Sequence, residues 1–158
     1  MYSKLVLLLT LSIGLVFTSC KKEFTVENET MTGTMVHTNK SFTPLTFDSN
    51  GKPTTAKQVQ ALSGTVGKIG AISASVEVVV DLVTGISKDV PATYSDKDGN
   101  TIKTLSQAVL KGNELILSEN IIGGTGTFAK ITGSGSQLVK FDFATGIGNS
   151  TVEWTVTY

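Results

Sequence analysis

The residues that first suggest chemistry are Gly124-Thr-Gly126-Thr-Phe-Ala129. They fit the G-x-G-x-x-G/A pattern that cradles a dinucleotide pyrophosphate, and Asp142 follows near the place of a ribose-binding acid. Such a site needs its glycines between a strand and the first turn of a helix, whose N-terminus stabilises the phosphate. Leu115–Ile122 can supply the strand. The helix is missing: Thr127–Gln137 is interrupted by Gly133 and Gly135, and each interior glycine costs a helix about 1 kcal/mol. The glycines therefore read as backbone devices. Gly123 and Gly124 leave the strand with positive φ, Gly126 lets the chain turn closely, and Phe128 plugs the end of a core. Gly133 and Gly135 then open the next strand against a neighbouring backbone.

Other constellations are sparse. His37 and Cys20 are the sole residues of their types, which excludes a Cys/His zinc cluster. His37 lies in an alternating stretch and reads as a surface or half-buried strand residue. Asp96-Lys-Asp98-Gly99-Asn100 has some look of a calcium loop, but its glycine falls at the fourth place and the twelfth is Gln107, so a hairpin turn is expected. No nucleophile elbow is present. No metal and no cofactor are expected. Glu77 and Asp81 share one face of an apolar strand, roughly 13 Å apart at the rise of an extended chain. If that face lines a cavity, either carboxylate is a candidate general acid or base; otherwise both are solvated. Trp154, Tyr158, Phe141, Phe143 and Phe128 form either a ligand-stacking wall or ordinary core.

Charge narrows the partners. Thirteen basic residues, all lysine, balance thirteen acids. Without arginine there is no bidentate clamp for phosphate or carboxylate, and without a basic stripe no nucleic-acid partner is expected. At the N-terminus Lys4 precedes an apolar run, Leu5–Phe17, of about 13 residues, short of the ~20 that span a bilayer. The layout is that of a secretory signal. Phe17-Thr-Ser-Cys20 resembles a bacterial lipobox, with Phe17 where leucine is usual. The resemblance implies cleavage before Cys20 and lipid attachment to it. An exported chain with a lone cysteine agrees, because that thiol has no internal disulfide partner. Position 21 is Lys, not the Asp of inner-membrane retention, so an outer-membrane lipoprotein is expected, facing either the periplasm or the surface. Residues 1–19 are then the signal, 20–29 a polar tether, and 30–158 one domain.

The elements that must position any site are strands. Met31, Gly33, Met35 and His37 alternate with Thr32, Thr34 and Val36, predicting a first strand. Residues 38–57 carry Asn39, Pro44, Asp48, Asn50-Gly51 and Pro53, and predict a long loop with a short strand at Leu45–Phe47. Across Ser75–Thr84, Val76, Val78, Val80 and Leu82 face one way, Glu77, Val79 and Asp81 the other. Three hairpins turn at Asp96–Asn100, Lys111–Asn113 and Ala144–Asn149. Turns recur roughly every 8–12 residues and no helical period is sustained, which means an all-β sandwich or barrel.

Gly123-Gly-Thr-Gly-Thr-Phe-Ala129 followed by Thr132-Gly-Ser-Gly135 resembles the GGTGxF signature of the allene oxide cyclase and dirigent barrel superfamily, above all its exported bacterial members. Ser63–Gly70, Val83-Thr-Gly85, Asp98–Thr101 and Ala144-Thr-Gly146 match in order, so the likeness covers about residues 60–158. The resemblance implies a small closed antiparallel barrel of about eight strands, with a lipocalin-like barrel or a sandwich as alternatives. It also implies a cavity for apolar or aromatic molecules. The plant chemistry does not carry over, since dirigent members use a cavity arginine and this chain has none. The expected function is a lipid-anchored envelope protein whose barrel binds a small apolar ligand or a protein partner without catalysis. A cyclase or isomerase using a carboxylate such as Glu77, and a structural or host-interacting surface protein, are the alternatives. The oligomeric state is left open.

Overall fold

In a computed structural model the described residues are 28–158, and eight strands account for most of them. They are β1 (Glu29–Phe47), β2 (Pro53–Val66), β3 (Gly70–Asp81), β4 (Ile86–Asp96), β5 (Thr101–Lys111), β6 (Glu114–Gly124), β7 (Thr132–Asp142) and β8 (Ile147–Thr157). Each pairs antiparallel with the next, and β1 pairs with β8, so the sheet closes into a barrel. Closure removes the sheet edges that would otherwise template aggregation. The all-β barrel expected from the sequence is the observed fold. The signal, the lipobox with Cys20 and most of the tether lie outside the described residues.

The loop expected over residues 38–57 is instead a hairpin. β1 runs through it to Phe47, and β2 begins at Pro53. The turn formers are confined to Asp48–Lys52, where Asp48 Oδ1 accepts the amides of Asn50 and Lys52 at 2.8 and 2.9 Å. Pro44 is tolerated because β8 stops pairing with β1 at Thr38, which leaves that side of the strand without a ladder to break. β-Bulges between Asn39 and Ser41 and between Pro44 and Thr46 absorb the irregularity.

Inward and outward residues alternate around the barrel, and the interior divides along its axis. One half is solid. Met31, Val66, Ile72, Ile102, Ile121, Ile131, Trp154 and Val156 fill it, all buried. The corner after β6 closes that end: Gly126–Phe128 is a single 3-10 turn, Phe128 packs on the core, and Ile131 is fully buried. No helix follows the glycines, and β7 begins at Thr132. The other half, towards the β1–β2, β3–β4, β5–β6 and β7–β8 turns, is hollow.

Candidate functional site

The hollow half holds a cavity of about 270 Å³, near the lower end of ligand pockets at ~300–1,000 Å³. Its wall is mostly aliphatic. β3 gives Val76, Val78 and Val80, and Leu82 follows just past its end, in the phase the sequence predicted; β5 and β6 add Ala108, Leu110, Leu115 and Leu117. Phe42, Phe141 and Phe143 stand towards the open end, and the last two rings stack at 6.1 Å. The cavity lining contains no lysine, aspartate or glutamate.

The floor is polar, where the cavity meets the solid half. Glu119 on β6 is 2 % exposed and is the hub. Trp154 Nε1–H donates to its Oε2 at 2.7 Å, and Gln137 Nε2–H to the same oxygen at 2.9 Å. Tyr94 O–H donates to Oε1 at 3.1 Å, with Ser106 Oγ at 3.5 Å. Four donors from β4, β5, β7 and β8 thus converge on one carboxylate. No lysine pairs with it among the described residues. Burying a carboxylate without a counter-ion is costly unless its lone pairs are filled, and here the four donors do that. Burial, then the nearby Glu119 charge, raises the Tyr94 hydroxyl well above its usual range, so it stays a phenol. The Tyr94 and Trp154 rings meet edge to face at 5.4 Å.

A second cluster continues from Gln137. Its Oε1 lies 3.2 Å from His37 Nε2, and Ser150 Oγ lies 3.3 Å from both. Gln60 Oε1 is 3.4 Å from His37 Nδ1. Burial lowers the His37 pKa, only partly opposed by its bonds to Gln60 and Gln137, so the ring is neutral near pH 7. His37, Gln60, Tyr94 and Ser106 also line the cavity, so the floor is where a ligand meets polar atoms.

Gly135 makes room for this arrangement. A Cβ there would collide with Trp154 Cδ1 and would come within 2.9 Å of Nε1. The indole therefore lies across the β7 backbone and aims its N–H at Glu119. Gly126 turns with φ 59° against the Asn100 side chain, which seats the corner on the β4–β5 hairpin. Gly123 and Gly133 also have positive φ, whereas Gly124 and Gly135 do not. Gly124 packs against the Thr101 and Phe128 carbonyl oxygens, so close approach is its reason.

The candidate carboxylates of β3 are not in the cavity. Glu77 faces outwards, 58 % exposed at its side chain, and pairs with Lys57 at 2.8 Å. Asp81 ends the strand, where Oδ1 accepts the amides of Val83 and Thr84 at 2.8 and 3.0 Å and holds the β3–β4 turn. Those amides, Thr84 first, lower its pKa. The reason is phase: Val76 and Val78 point inwards, so their neighbours cannot. Asp96 likewise serves its turn, accepting from Asn100 Nδ2 and from the amides of Asp98 and Asn100. His37 corrects the surface reading, because it shares its phase with buried Met31 and Met35. The five aromatics part company: Phe141 and Phe143 line the cavity, Trp154 and Phe128 belong to the solid end, and Tyr158 bonds Glu29 outside.

Glu119 and Gln137 carried no sequence motif. Their signal was phase: Glu119 shares its face with Leu115, Leu117 and Ile121, and Gln137 with Val139 and Phe141. Ile116 and Ile122 on the opposite face of β6 obscured it; both are exposed.

Neither a family model nor a curated protein matches the sequence. Among solved structures, the pterocarpan synthase dirigent protein GePTS1 aligns with 85 % of this chain and 87 % of its own, at 14 % identity and a TM-score of 0.40.

Proposed function

We propose that this protein is a lipid-anchored envelope binding protein whose barrel holds a small, mainly apolar molecule. The observation that carries the reading is the cavity: an aliphatic and aromatic wall, an open end, and a floor of buried polar groups. An apolar ligand displaces water there and contributes roughly 25 cal/mol per Å² of buried surface. The polar floor orients it. Support for binding without catalysis comes from Glu119, which is engaged by four donors and is absent from the cavity lining.

Anchorage rests on Cys20 and the sequence before it. β1 enters the barrel at its solid end, where Glu29 pairs with Lys68. Cys20→Ala tests the anchor: the protein is expected to leave the membrane fraction, and retention there would refute lipidation. Native mass spectrometry of gently purified protein tests the cavity. A discrete added mass, lost on denaturation, is expected. A bare mass, together with no uptake from a panel of lipids and aromatics, would refute a ligand-holding barrel.

A further inference from the structure

The floor of the cavity has a direction. Glu119 draws the donors around it: the Tyr94 and Ser106 hydroxyl protons, the Trp154 N–H and the Gln137 amide all point to its oxygens, and Gln137 Nε2 also donates to the Tyr94 oxygen at 3.3 Å. Ser106 is thereby left to face the cavity as an acceptor, and so is Tyr94 through the lone pair that Gln137 does not use. The polarity passes on through Gln137. Its nitrogen is committed to Glu119, so its oxygen faces His37 Nε2 and takes that proton. A neutral imidazole with its proton on Nε2 has a lone pair at Nδ1, beside Gln60. With an acceptor at Nδ1, the Gln60 amide, whose Oε1 lies 3.4 Å away, is assigned with its N–H to the ring, and both that donor and the Nδ1 lone pair are used there.

One more acceptor stands free. Asn39 follows His37 on the inward face of β1, lines the cavity, and its Oδ1 is buried with no hydrogen-bond partner. A buried carbonyl oxygen left unpaired is a cost that a ligand donor removes. The elements packed on His37 bring no charge of their own: β2 offers Gln60, β7 Gln137 and Phe141, β8 Ser150. The charge and the second titratable group behind them are Glu119 and Tyr94, reached through Gln137. The interior site therefore carries one carboxylate and no counter-cation, and Asn39 and Ser87 can serve either kind of head group without reversing that bias.

Resting on the cavity as a binding site, we propose that its ligand is an apolar molecule whose polar head donates hydrogen bonds, an amine cation best and a carboxylate worst. The ammonium's protons meet the lone pairs of Asn39, Tyr94 and Ser106, and its charge offsets that of Glu119. A carboxylate meets the same lone pairs and a like charge.

The test is calorimetric titration of the purified protein at pH 7.5 with octylamine, octanol and octanoate, which share a chain and differ in the head. Octylamine is expected to bind at least about tenfold more tightly than octanoate, a difference of about 1.4 kcal/mol, with octanol between. Glu119→Gln, which removes the charge and keeps the shape, is expected to collapse the gap. If that variant does not fold, the wild-type ranking decides alone. Octanoate binding as tightly as octylamine would overturn the donor assignment while leaving the cavity a binding site. No binding of any of the three, or equal binding to a cavity-blocked Ala108→Phe variant, would overturn the binding reading and this inference with it.

Discussion

Replacing Glu119 with leucine separates two opposite accounts of a buried charge. Leucine removes a desolvated carboxylate, and that alone favours the folded state. It also strands the donors. Tyr94 and Ser106 can rotate their hydroxyls towards the cavity, but Trp154 Nε1–H and Gln137 Nε2–H are fixed, at 2.7 and 2.9 Å from the lost oxygen. Each fixed donor left unpaired costs about 1–3 kcal/mol. After crediting the relieved desolvation, the Leu variant is expected to lose about 3 kcal/mol. Glu119→Gln behaves differently. Its amide oxygen can keep Trp154 and Gln137 while its NH₂ faces the two hydroxyls, which turn to accept. Only charge assistance is lost, about 1–2 kcal/mol. Guanidinium unfolding followed by circular dichroism measures both, with midpoints read at constant slope. A Leu variant as stable as the wild type, or more stable than the Gln variant, would refute the reasoning. It would mean that desolvating Glu119 costs more than its four hydrogen bonds return.

Three further outcomes are expected. Ala108, 5 % exposed and facing the cavity, becomes a plug as Ala108→Phe; ligand uptake is lost while the β signature in circular dichroism stays, and undiminished uptake would place the ligand elsewhere. Gly135→Ala pushes the indole of Trp154 off Glu119, and since Trp154 is the only tryptophan its emission reports this directly as a red shift with a fall in melting temperature. The buried neutral His37 has a folded pKa below its unfolded value, so the unfolded chain binds the extra proton first. Its contribution to stability is complete above the unfolded pKa near 6.5 and falls as pH drops through that value towards the folded pKa. Melting temperature is thus expected to decline below about pH 6.5 in the wild type and to decline less in His37→Gln; an equal decline in both would assign the pH dependence to the carboxylates.

Local pattern made the barrel legible. Val76, Val78, Val80 and Leu82 announced an inward face at a period of two, and Asp-Gly and Asn-Gly pairs announced turns, because pleat and turn geometry act over a few residues. The same locality exposed the glycine fingerprint as a corner, since no helix could follow it. Locality also misled. Turn-forming residues spread over 38–57 hid a hairpin, because whether Pro44 breaks a strand depends on whether β8 pairs beside it, and β8 lies a whole chain length away. The alternation of His37 with Met35 was visible, yet a lone polar residue in such a row reads equally as surface or as floor.

The site itself was decided by closure. The sequence determined that strands would form, that most of their inward positions would be apolar, and that the chain would carry no arginine or metal cluster to build a conventional charged centre. It did not say which polar residues would meet. Tyr94, Ser106, Glu119, Gln137 and Trp154 come from five strands and meet only because the β1–β8 pairing bends the sheet into a cylinder with one shear. A shift of one residue in any of those registers would turn a side chain from the floor to the solvent, so the hydrogen-bond hub belongs to the tertiary structure alone.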